Sequence, residues 1–120
     1  AKVNYLIHTD AVKEHLIPET LSSQQIACVY ASEADLLNVA LFGVTAKQWR
    51  DENPQLSGNM RDHANIHQLV CLTNMESMNA HFIQQGMEQS ERIVKLNQLA
   101  IQQMQVLIAA NAAKNPLLKE

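Results

Sequence analysis

The sequence predicts an all-α fold, a compact bundle of five to six helices with a long central helix and a long C-terminal helix. Three observations carry this. Apolar residues recur at steps of three and four along most of the chain, and no useful length alternates with the period of two that a strand needs. The apolar fraction is 47%, yet only five residues are aromatic, so the core has to be built from Leu, Ile, Val, Met and Ala. That palette, with three Gly and three Pro, favours helix. One domain accounts for all 120 residues, a length that buries about two-thirds of the unfolded surface.

The elements follow in order. Val3, Tyr5 or Leu6, Ala11 or Val12 and Leu16 form a loose helical stripe over residues 3 to 16, stopped before Pro18 because the residue ahead of a proline is pushed out of the helical region. Ser22 with Gln25 is a capping-box pattern and opens a short helix through IACVYA. Ser32 precedes Glu33 and Asp35, acids suited to a positive helix N-terminus, and the run LLNVALF ends at Gly43, a natural C-terminal cap. Thr45 with Gln48 repeats the capping box, and Pro54 closes that helix. PQLSGNMRD, residues 54 to 62, reads as loop. From Asn65 to Gln85 apolar residues cover more than one narrow stripe, so this helix is expected to be central and surrounded. Gly86 ends it. The last helix, Glu88 to Ala113, carries Ile93, Leu96, Ala100, Met104 and Leu107 at steps of three and four, with Val94, Ile101 and Ile108 along its flank. Its apolar face is wider than a strict coiled-coil seam. Asn and Gln together number 22, lie inside the periodic segments, and read as helix surface and buried amide pairs.

Composition excludes some functions and disfavours others. A net charge of -3 and a pI near 5.9 supply no global field for a polyanion. Cys28 and Cys71 sit within the apolar runs IACVY and LVCLT and read as reduced core residues of a cytoplasmic protein. No apolar run approaches the roughly 20 residues of a membrane helix. The chain opens AKVNYLIHTD, without an initiator Met and already amphipathic, and is expected to be a piece of a longer protein.

Catalytic and metal patterns are sparse. His63 and His67 share a helix face, but the stretch is HANIH rather than HExxH, and further donors would have to come from His8, His15 or His81. Neither cysteine has an adjacent histidine, there is no GxSxG elbow, and no glycine-rich phosphate loop occurs. The expectation is a non-enzymatic domain without metal or cofactor.

The stretch FGVTAKQWRDENP, Phe42 to Pro54, has the outline of a helix-turn-helix. Its detail points elsewhere. Ala40, the small residue that would let two helices cross, stands one position out of register with Gly43, and Asp51 and Glu52 directly follow Arg50. Phosphate binding needs accumulated positive charge, and only Lys47 and Arg50 offer it here. Trp49 is read as a core anchor. Direct nucleic-acid contact through residues 45–61, using Lys47, Arg50 and Arg61, is retained as the alternative function. Around Trp49, Arg61 and Asp62 a ligand pocket competes with a structural role in which Asp62 caps the long helix.

Four long strings carry a resemblance. VNYLIHTDAVKEHLIPETL (3 to 21), YASEADLLNVALFGVTAKQWRDENP (30 to 54), GNMRDHA (58 to 64) and SERIVKLNQLAIQQM (90 to 104) resemble the C-terminal region of bacterial and phage proteins that carry a KilA-N DNA-binding domain. The likeness spans nearly the whole chain. Where that pattern has an aromatic after GNxRD, this chain has His63. The resemblance implies the accessory helical domain of an antirepressor-like regulator whose DNA contact is made by a KilA-N module that the chain lacks. The expected partners are a second copy of the chain and, through the missing N-terminal domain, DNA; no membrane is involved. The expected homodimer interface is the wide apolar face of the last helix, with Ile93, Met104, Leu107 and Ile108 at its centre.

Overall fold

A computed structural model describes residues 17–27 and 32–114. The stripe expected at residues 3 to 16, the end of the second expected helix and Cys28 lie outside the described residues. Among those described, the protein is all-helical: α1 Ser23–Ala27, α2 Glu33–Phe42, α3 Ala46–Glu52, a 3₁₀ turn Met60–His63, α4 Ile66–Gln84 and α5 Gln89–Lys114. α4 is the long central helix and α5 the long C-terminal one.

Local chemistry sets the boundaries. Ser22 accepts from the Gln25 amide at 3.2 Å while its own amide donates to Gln25 Oε1 at 2.8 Å. The Ser32 hydroxyl accepts from Asp35 N, and Gly43 closes α2 at φ 82°, donating its N–H to the Val39 carbonyl. Thr45 and Gln48 form the expected box at the start of α3. Two further boxes occupy the segment read as loop and its exit: Asn59 with Asp62 on the 3₁₀ turn, and Asn65 with Gln68 on α4. Asp62 therefore caps the 3₁₀ turn, and the long helix is capped by Asn65. Each box satisfies amides that a helix start would otherwise leave unpaired.

The main core lies where α2, α4 and α5 meet. Leu36, Val39 and Ala40 from α2 pack with Cys71 and Met75 from α4 and with Ile93, Leu96, Ala100 and Met104 from α5. A Leu or Met buried this fully contributes about 1.5–3 kcal/mol through removal from water. The surrounded helix is α2, whose six consecutive residues Leu36 to Leu41 are all buried. α4 buries one stripe, Gln68, Cys71, Leu72, Met75 and Asn79, and leaves Ile66, Leu69, Val70 and Ile83 in water. The expectation that α4 is enclosed on all sides fails for a simple reason: its apolar excess lies on a face that nothing in the described chain covers. A second, smaller core forms at the α3 corner, where Trp49 and Met60 pack with Phe42, Val44 and Leu56.

Buried polar groups tie these layers together. The Asn97 amide donates to the carbonyls of Glu19 at 3.1 Å and Ala40 at 2.9 Å and accepts from Leu21 N at 3.1 Å. Buried Arg92 reaches Glu33, Asn79 and the Met87 carbonyl. These amides bond to backbone and to charge, where the sequence suggested amide pairs.

Candidate interaction surface

The three candidate nucleic-acid contacts are not equivalent. Arg50 is turned inward: its guanidinium donates to the carbonyls of Asn53, Leu56 and Gly58 and lies 4.9 Å from the Trp49 ring centre. It closes the loop after α3. Arg61 donates through Nε to Asn38 Oδ1 at 3.1 Å and through Nη2 to the Ala34 carbonyl at 3.5 Å, with Nη1 3.7 Å from Glu76. Lys47 is exposed on α3. Two of the three cations thus have hydrogen-bonding capacity already engaged within the domain, Arg50 on the loop after α3 and Arg61 on α2.

Trp49 is the core anchor the sequence suggested. His63 packs against it with ring centres 5.3 Å apart, and His63 Nε2 sits 2.8 Å from the Ser57 carbonyl. Both contacts give this histidine a structural role in the loop. Among the described residues no group of three or more His, Cys, Asp or Glu is arranged to hold a metal. Cys71 is a free, buried thiol, and burial pushes its pKa up to about 11, so the reactive thiolate is disfavoured. No described helix is long and apolar enough to cross a membrane.

The expected dimer residues divide. Ile93 and Met104 are 1% and 0% exposed, sealed into the core beneath α2 and α4, and neither can meet a second chain. This is a correction, and its cause is geometric: the line from Ile93 through Leu96 and Ala100 to Met104 is the seam of the domain itself. Leu107 and Ile108, further along α5, are half-buried and pack against the edge of that core.

What α5 does leave open is a groove alongside α4. It has a volume of about 380 Å³ and is lined by Asn74 from α4 and Leu99, Gln102, Gln103, Val106 and Leu107 from α5. Val106 is 61% exposed. A 3.0 Å hydrogen bond from Asn74 Nδ2 to Gln103 Oε1 crosses the groove. Val70 and Ile66 of α4 are exposed as well, outside the lining of this groove. Surrounding charge is missing. From Leu96 to Ala113 the chain has no charged residue and no histidine, and neither has the α4 stretch from Gln68 to Met75. Chain-wide, charged residues make up 18%.

The apolar line expected to be the free face of α5 is its inward one; among the described residues α4 exposes Ile66, Leu69, Val70 and Ile83, and α5 Val94 and Val106. Asn74, Gln103 and Val106, which line the groove, have no place in that expectation. The uncharged run was the available signal, since a solvated helix face ordinarily carries Lys and Glu.

Comparison with protein-family models, with curated proteins and with solved structures finds no match to this chain.

Proposed function

We propose that this chain is a non-enzymatic assembly domain that forms a homodimer through the α4–α5 groove. The single observation that carries the reading is exposed Val106 in a groove whose lining is free of charge. In a two-fold contact each side chain near the axis meets its own copy, so a charge there repels itself while an apolar or amide side chain does not. Apolar patches of this kind on soluble domains mark interaction sites, and charged residues are depleted at interface cores.

The KilA-N resemblance supplies the context. On that reading the dimer holds two N-terminal DNA-binding modules together in a cytoplasmic, phage-type transcription regulator, and this domain itself makes no base contacts. The engagement of Arg50 and Arg61 within the fold supports the division of labour. Direct nucleic-acid contact remains the alternative, resting on exposed Lys47 and the partly exposed Arg61.

Sedimentation equilibrium across a concentration series tests the assembly. The wild-type chain is expected as a dimer, and Val106→Asp as a monomer of unchanged helical content. A wild-type chain that stays monomeric at high concentration rejects the proposal. A salt series of DNA-binding measurements on the same chain tests the alternative, which requires an affinity that falls with ionic strength.

A further inference from the structure

Resting on the assembly reading, we infer that the Asn74–Gln103 amide pair determines which partner the α4–α5 groove accepts, and in what register. The two side chains meet across the groove at 3.0 Å, with the Gln102 amide also in its wall and Leu99, Val106 and Leu107 between them. An amide carries two N–H donors and an oxygen with two lone pairs. The bond across the groove uses one donor of Asn74 and one lone pair of Gln103. A covering partner therefore has to satisfy the other Asn74 N–H, the Asn74 oxygen and both Gln103 N–H groups, or strip them of water without replacement.

A purely apolar helix fails that requirement, and so does an ordinary charged one. A carboxylate satisfies only donors and an ammonium only acceptors, and each would be desolvated among Leu99, Val106 and Leu107. An amide is both donor and acceptor and can pair with its own kind. A second copy of this chain brings that chemistry, since its own groove carries the same three amides, and sliding by one helical turn sets amides against Val106 or Leu107. Polar residues set into apolar helix seams act in this way elsewhere, fixing register and stoichiometry at some cost in affinity.

The test replaces the pair by apolar residues in the 120-residue chain. Asn74→Leu and Gln103→Leu, singly and together, are followed by sedimentation velocity, with circular dichroism to verify the fold. The double variant is expected to associate at least as tightly as wild type, yet to lose the single dimer stoichiometry and populate larger species. A double variant that remains a single dimer with an unchanged dissociation constant overturns the inference. So does one that falls apart to monomer, since the amides would then supply affinity and not register. Val106→Asp separates the two levels: if it leaves a wild-type-like dimer, the groove is not the interface, and the assembly reading and this inference fall together.

Discussion

Arg92 of α5 holds Glu33, the first residue of α2, through a bidentate contact of 2.5 and 3.2 Å across 59 residues of sequence. The same Nη1 donates to Asn79 Oδ1 of α4 at 2.8 Å, so one guanidinium joins the three helices of the core. Arg92 is buried, whereas the Glu33 side chain is 45% exposed. Removing each partner therefore has a different consequence. Arg92→Ala leaves buried Asn79 and the Met87 carbonyl without their donor and is expected to lower the unfolding free energy by about 2–3 kcal/mol. Glu33→Gln, whose side chain still reaches water, should cost about 1 kcal/mol. Urea unfolding of the two variants checks the order, and equal losses would contradict it.

The same contact predicts a pH response. The hydrogen bond from Arg92 holds the Glu33 carboxyl below its ordinary value of 4.5, opposed by partial desolvation and assisted by Asn79. A carboxylate with a depressed folded pKa stabilises the fold above its unfolded pKa, and that contribution is lost as pH falls through the folded value. Stability contributed by Glu33 is thus fully present at neutral pH and declines below about pH 4.5. Glu33→Gln should flatten this part of the acid limb in a melting-temperature profile. An acid limb identical to wild type would remove Glu33 as its source.

Gly43 ends α2 at φ 82°, and a Cβ there would come within 3.2 Å of Gln25 Nε2, whose bond to the Gly43 carbonyl spans 2.9 Å. Gly43→Ala is expected to destabilise the protein by about 1–2 kcal/mol, since an L-residue pays for the left-handed conformation. Thermal denaturation measures this; a neutral substitution would mean that the turn relaxes.

Asn65 caps α4, the role that the sequence suggested for Asp62. Asn65→Ala removes the cap of α4 and should cost about 1 kcal/mol. Hydrogen exchange at the Gln68 amide, which donates to Asn65 Oδ1 at 2.8 Å, should accelerate in that variant. It should stay at the wild-type rate in Asp62→Ala, whose carboxylate serves Asn59 N.

Cys71, fully buried with a pKa of about 11, should resist a thiol-directed disulfide reagent at neutral pH until the protein unfolds. In a Cys28→Ser background, the labelling rate should track the unfolded fraction in urea. Rapid labelling without denaturant would contradict the packing around α4.

Much of the fold could be read directly because its signals are local. Ser22, Ser32, Gly43, Thr45 and Gly86 act within a few residues of themselves, through caps or positive φ, and the helix boundaries followed them. The Asn59–Asp62 box is equally local but was concealed by the Ser, Gly and Asn around it, which read as loop. Which apolar line faces inward is a different kind of question. Met104 and Val106 stand two positions apart, yet one is sealed and the other open, and only the placement of α2 and α4 decides between them. The long-range polar ties of Arg92 and Asn97 have no local pattern at all. For the candidate site, the uncharged run on α5 was visible, but its meaning depended on Asn74 arriving from α4.

The tie made by Asn97 also has a temporal side. Its partners Glu19, Leu21 and Ala40 are synthesised 57 to 78 residues earlier, and the cover for the apolar residues of α2 comes largely from the same late helix. A growing chain therefore exposes LLNVAL until α5 has emerged, and folding of this domain waits on that helix. Nascent or truncated chains ending before α5 present that sticky segment to their neighbours, which makes the finished C-terminal helix the protein's own safeguard against aggregation.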